Sequence, residues 1–413
     1  MEALAVSNDL SRASLEDFRE ERSGTEPDWL KRLRREGMDR FRALGLPAPG
    51  DEAWKYTSVA RIASAPFRSQ EDLRLELASG QKGVRVARLK DVLASEPGLA
   101  ESHLARHADF RKSAFTALNT AFLSDGAFVH VERGAAVAQP IMLNFLSRGE
   151  REAAVTHPRN LIVAEAGSQA AVVEAYSGDG DGVPYFTNAV TEVVLGEGAV
   201  LEHYKVQRES LAAFHVQTIQ VSQGRASNYT SHNLCLGGAL ARTDWNVVFG
   251  AEGGECVLNG LFLAGGSQHL DNHTLIDHAV PHCASRELYK GILDGKARGV
   301  FHGKIIVRPN AQKTDAMQTN KNLLLSREAL VNSTPALEIL ADDVKCRHGS
   351  TIGQLDANVL FYLRSRGIGE RQARALLTYG FAADVAGRIR IPAVREEIEK
   401  ALGLALTGVA EKP

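Results

Sequence analysis

A weak glycine word constrains this chain more than any other feature. It reads ERGAAV from Glu132, EAGSQAAV from Glu165, GEGAVL from Gly196, SQGRAS from Ser222 and AEGGECV from Ala251. Its key glycines, Gly134, Gly167, Gly198, Gly224 and Gly253, recur about every thirty residues. From about Ala127 to Gly353 helical periodicity is absent, and short β-rich runs alternate with Gly, Asn, Asp and Ser. Strands repeated at such an interval are the rungs of a β-solenoid. Each rung holds two or three strands, with glycine at the sharp corner. A sandwich of hairpins is the rival, and it needs many two-residue turn words. Within residues 127–353 Asn-Gly occurs only at Asn259–Gly260, and Asp-Gly at Asp179, Asp181 and Asp294, which favours the solenoid.

The flanks read differently, so the expected architecture is mainly β with helical regions at both ends. Residues 1–126 form a mostly helical N-terminal region. Trp29, Leu30, Leu33, Met38, Phe41 and Leu44 recur at helical intervals until Gly45, Pro47 and Pro49 end the segment. DEAWKYT, Asp51 to Thr57, offers Trp54 and Tyr56 as anchors against a neighbouring domain. Residues 61–125 mix short strands with helices, the best helical candidates being Leu89–Leu93 and Phe115–Phe122. Residues 127–353 are the solenoid. Residues 354–413 hold a helix pair, Leu355–Arg366 and Glu370–Gly380, joined at Gly367–Gly369. A further helix follows between Val385 and Leu402, and the tail GVAEKP reads as unstructured. A solenoid has open ends, and both helical regions are expected to cap them.

Composition excludes several classes. Lys+Arg 48 against Asp+Glu 50 gives a net charge of −2, no general pull toward nucleic acid or an anionic membrane. Apolar runs such as Ala401–Leu406 are too short to span a bilayer, and Met1–Asp28 has no apolar leader core. Cys235, Cys256, Cys283 and Cys346 are widely spaced with no CxxC, so a reducing cytoplasm is the expected compartment. GxxxxGK[ST], GxGxxG opening a βαβ unit and GxSxG are all absent, so no nucleotide is expected on this chain by the usual routes.

Cys346 and His348 are the most suggestive chemistry. Two apart on a strand, they leave the same face. Lys345 and Arg347 flank the thiol, and cationic neighbours favour the metal-binding thiolate. Two ligands do not fill a tetrahedral site, so further ligands must come from elsewhere, such as another chain. His269, His273, His278, His282 and His302 include i, i+4 pairs that would suit zinc only on a helix. Asp277, Asp294, Asp315 and Glu287 offer carboxylates for glycan cleavage, though no spacing selects a pair.

Three words then carry a resemblance. SRELYKGILDGKARGVFHGKIIV (Ser285–Val307), AQKTDAMQTNKNLLLS (Ala311–Ser326) and LEILADDVKCRHGSTIGQLD (Leu337–Asp356), followed by LFYLRSRGI, closely resemble the SufB/SufD family of iron–sulfur cluster assembly. The resemblance spans about Ser285 to Phe381, and DEAWKYT also looks like a word of that family. SufB-like chains commonly read C-x-H-E where Gly349 follows His348 here, and often carry an N-terminal cysteine cluster. This chain has no cysteine before Cys235, so both features resemble the SufD branch. The resemblance implies a right-handed parallel β-helix and a non-enzymatic scaffold role in a SufB–SufC–SufD complex. It implies a heterodimer with a SufB-like paralogue, with a homodimer in isolation as another possibility. The C-terminal helices would dock the ABC-type ATPase SufC, through residues such as Phe361, Tyr362, Arg364 and Arg366. The cluster positions fall on Cys346 and His348, which would share a transient iron–sulfur cluster with the partner. The alternatives are a β-helix carbohydrate-active enzyme and a zinc-dependent enzyme.

Overall fold

The computed structural model describes residues 9–18, 26–70, 73–78, 80–148, 153–179 and 182–407. The GVAEKP tail lies outside them.

Two parallel sheets stack into a solenoid of about eight turns. The first sheet contains Ala127–Val131, Arg159–Ala164, Tyr185–Leu195, Phe214–Gln223, Leu240–Phe249, His269–His278, Arg298–Val307 and Leu330–Ile339. The second contains Ile141–Arg148, Gln169–Asp179, Val200–Arg208, Asn228–Cys235, Glu255–Ala264, Ala284–Leu293, Asp315–Leu324 and Lys345–Gly353. The chain alternates between sheets, one strand in each per turn, and successive turns pair in parallel without slipping. The hairpin sandwich is thereby excluded. The antiparallel pairs lie at the N-terminal end, where Leu75–Ala78 meets Ile141–Arg148 and Val84–Arg88 meets Ala127–Val131.

Alternation decides what enters the lumen. Along Leu240–Phe249, Trp245, Val247 and Phe249 are buried in the main core while Asp244, Asn246 and Val248 are only partly covered. The corner leading from the first sheet to the second seats one residue at positive φ in every turn but the last. Gly134, Gly167, Gly198 and Gly253 hold that seat at φ 64 to 76°. Gly224 does not: Ala226, at φ 52°, takes the seat instead. The two seats stack, with the Gly198 amide donating to the Arg225 carbonyl and the Ala226 amide to the Glu252 carbonyl. Gly224 is needed for close approach, since a Cβ there would lie 2.7 Å from the Leu195 carbonyl oxygen. His282 (φ 59°) and Lys313 (φ 62°) hold the seat in later turns, so the glycine word fades where the corner itself persists.

At the N-terminal end, helix Asp28–Leu44 lies across the buried helix Ala114–Ala121. Contact is close because position 37 is glycine, where a Cβ would sit 2.8 Å from the Ala121 amide nitrogen. Arg159 and Glu192, both fully buried and 2.7 Å apart, tie this cap to the solenoid. Glu192 also accepts from the backbone amides of Ala105, His107 and Ala108. The strap Asp51–Thr57 lies on the outer face of the first sheet. Arg242 stacks 3.8 Å from the Trp54 ring centre, and the Thr57 hydroxyl donates to Asp271 at 2.6 Å. Trp54 is thus an anchor, whereas Tyr56 is exposed.

The C-terminal helices Ala357–Ser365, Glu370–Ala386 and Pro392–Thr407 do not cap the end as expected. Their apolar stripe is spent on the flank of the second sheet. Ala382, Val385, Ile389, Val394, Ile398 and Leu402 pack there against Tyr204, Val206, Leu234 and Leu261. Lys290 fixes the dock, donating to Asp384 (2.6 Å) and to the Phe381 carbonyl (2.7 Å). Gly380 lies within the long helix rather than ending it, because nothing crowds or bends the chain there.

Candidate functional site

The last strands, Leu330–Ile339 and Lys345–Gly353, are the final edge of each sheet. Leu330, Ile339, Leu340 and Ile352 are exposed here. The apolar residues at Leu337 and Ile339 thus belong to one sheet and Cys346 to the other, with a corner between. Gly349 does not break the last strand, which runs on to Gly353.

Cys346 and His348 complete two inward-facing columns. Tyr229, Cys256, Ser285 and Ala316 lead in register to Cys346. Ser231, Leu258, Glu287 and Gln318 lead to His348. The preceding members are buried, whereas Cys346 is half-buried and His348 exposed. The site therefore crowns the lumen at its uncovered end. Beside it Ser333 and Ser350 hydrogen-bond across the mouth at 2.8 Å, and Ser333 donates to the buried Asn320 at 2.7 Å.

The flanking cations do not activate the thiol as their sequence position suggests. Lys345 and Arg347 alternate with Cys346 and leave the opposite face. Burial pushes the Cys346 thiol up, offset only in part by the Ala316 backbone. Cys235 and Cys256 are buried deep in the lumen, also pushed up by burial.

The other candidate sets disperse. His269 and His278 stand at opposite ends of one strand, and His282 sits in a corner. His273 and His302 instead lie with ring centres 5.0 Å apart and planes tilted by 33°, at a cavity of about 110 Å³ beneath the strap. Among the described residues no group of three or more His, Cys, Asp and Glu is arranged to hold a metal ion. Asp277 pairs with Arg308, Asp315 with Arg286, and Glu287 is buried, so these carboxylates share no groove. Of the docking candidates, Phe361 is 72% exposed and Tyr362 55%. Arg366 lies over the Tyr362 ring, and Arg364 faces Glu370 at 3.6 Å. Helix Ala357–Ser365 buries no residue at all.

The fold defines the class first: a parallel β-solenoid of about eight turns with helices at both ends of the chain. The chain belongs to the SufBD family of the SUF iron–sulfur cluster assembly system: the family's core domain, described as "SUF system FeS cluster assembly, SufBD core domain", matches residues 145–381. The SufBD protein N-terminal region matches residues 66–143. An iron–sulfur cluster assembly SufBD family protein of Synechocystis is 31% identical, over 92% of this chain and 91% of the relative. The iron–sulfur cluster assembly protein SufD of Escherichia coli is 29% identical, over 89% of this chain and 90% of its own length. That of Bacillus subtilis is 26% identical over 90% and 93%. No helix among the described residues is long and apolar enough to cross a membrane.

Proposed function

We propose that this chain is a non-enzymatic scaffold subunit that pairs through its open end with a SufB-like partner, in the cytoplasm, and holds a nascent iron–sulfur cluster between them. The carrying observation is the placement of Cys346 and His348 at the crown of an uncovered lumen, flanked by unpaired strand edges. Thiolate with imidazole is an accepted ligand mixture for such clusters. Two donors are half a ligand set, which suits cargo that must leave. The exposed helix Ala357–Ser365, with Phe361, Tyr362, Arg364 and Arg366, presents an apolar and basic face to an ABC-type ATPase. ATP binding there would favour one arrangement of the subunits over another, and so load or release the shared cluster.

The test is the iron and sulfide content of the complex purified with its SufB-like and SufC-like partners. Cys346→Ser with His348→Ala should lower both sharply, while stability falls by only about 1 kcal/mol because His348 is exposed and Cys346 is half-buried and nearly isosteric with serine. Full cluster content in the double variant refutes the site. Phe361→Ala with Tyr362→Ala should weaken ATPase co-purification and leave partner pairing intact.

A further inference from the structure

Six acidic side chains are buried among the described residues: Asp125, Glu174, Glu192, Glu209, Asp271 and Glu287. Five face a cation or a histidine. Asp125 meets Arg88, Glu174 His203, Glu192 Arg159, Glu209 His215, and Asp271 both Arg242 and His273. Glu287 has no such partner. Its neighbours are neutral: the Gln318 amide donates to one oxygen at 2.7 Å, and the Thr274 hydroxyl lies beside the carboxyl. Glu287 also stands two rungs directly behind His348, with Gln318 between them.

On these grounds we propose that Glu287 is a positioning residue of the Cys346–His348 site, one whose charge is linked to the loading of iron at that site. The proposal rests on the reading of the site given above. A bare buried carboxylate is costly, so the isolated acid keeps its proton. Burial pushes it up to about 7. The titratable groups facing it do not compete near that pH. The Cys256 thiol and Tyr289 hydroxyl are driven well up by burial, and His278, bonded to Ser285, is driven down to about 4. Thr274 and Gln318 are neutral, and position 303 in the facing strand is glycine, packed against the Gln318 amide.

Two strand spacings separate Glu287 from the site, about 10 Å. A unit charge at that range through protein shifts a partner's titration by about one pH unit. Arriving ferrous iron is a cation and favours the ionised acid. The Glu287 O–H bond breaks, its proton leaves to solvent through the open end, and no electron moves. By linkage, an ionised Glu287 binds iron more tightly in the same proportion.

The experiment compares the wild-type chain with Glu287→Gln, which keeps the shape and the Gln318 contact. Glu287→Met is a second charge-free variant should the first fail to fold. In the free full-length chain, the Glu287 carboxyl, followed by carbon-13 NMR, should titrate at about 7 in wild type, and its signal should be absent from the variants. In the complex with the SufB-like partner, ferrous iron affinity should rise with pH from 6 to 8 about tenfold more in wild type than in Glu287→Gln. A Glu287 carboxyl that titrates in the ordinary carboxylate range, or parallel iron profiles, overturns the proposal. Iron binding that ignores the Cys346→Ser/His348→Ala double variant overturns the cargo reading instead, and the Glu287 titration still decides whether that acid is held protonated.

Discussion

Glu287 also sets a stability test that needs no partner. Its folded carboxyl is pushed from an ordinary 4.5 up to about 7. A raised folded value means the native state binds more protons than the unfolded chain between those pH values. That contribution is fully present below about pH 4.5 and is lost as pH rises through 7. Glu287→Gln does not titrate, so its stability relative to wild type should improve by on the order of 3 kcal/mol between pH 5 and 8. Melting both proteins at each pH checks this, and a pH-independent difference would count against a protonated Glu287. The special standing of this residue was not legible in the sequence, where it was one of four unpaired carboxylates. Its burial depends on strand register, and register is set by partners about thirty residues away. The spacing of Cys346 and His348 was legible, because alternation alone puts them on one face. The same alternation turns Lys345 and Arg347 away, and proximity in sequence misjudged them.

The corners show what the repeat could and could not reveal. The rung period was legible from glycine because a positive φ penalises any Cβ. Gly224 lies in its corner too, but there glycine serves close approach, which looks the same in sequence as a glycine required for its φ. The structure separates the two roles, and substitution should too. Gly198→Ala forces a Cβ into the left-handed seat and should cost about 1–2 kcal/mol. Ala226→Gly relieves the same seat and should be neutral to stabilising by up to about 1 kcal/mol, after the entropy of an added glycine is charged. Denaturant midpoints measure both. A destabilised Ala226→Gly would show that the corner is held by its stacked hydrogen bonds rather than limited by φ. The C-terminal helices were legible as helices from their apolar spacing, but their seat was not. Amphipathic periodicity says that a face is buried, and the Lys290–Asp384 clasp that chooses the flank joins residues far apart in the chain.

At the scale of the whole molecule, the solenoid is finished at one end and unfinished at the other. Antiparallel strands and buried helices close the N-terminal turn, while the C-terminal turn presents two free strand edges. Among the described residues, more than half of the exposed large apolar side chains lie between Leu330 and Tyr379, either at this end or on the outer helices. An edge of this kind recruits another strand unless charge or proline blunts it. Lys345 and Arg347 supply charge on one edge and Pro335 interrupts the other, but Leu340 and Ile352 remain bare. The free chain should therefore associate through this end, so its melting temperature should rise with protein concentration and rise further with the SufB-like partner. Leu340→Lys with Ile352→Lys places charge on both bare positions without disturbing a buried side chain. The intrinsic fold should change by under about 0.5 kcal/mol, while association by light scattering and the concentration dependence of melting should both disappear. If the double variant still pairs as wild type does, the open end is not the interface. The shared site at Cys346 and His348 would then need another route to its missing ligands.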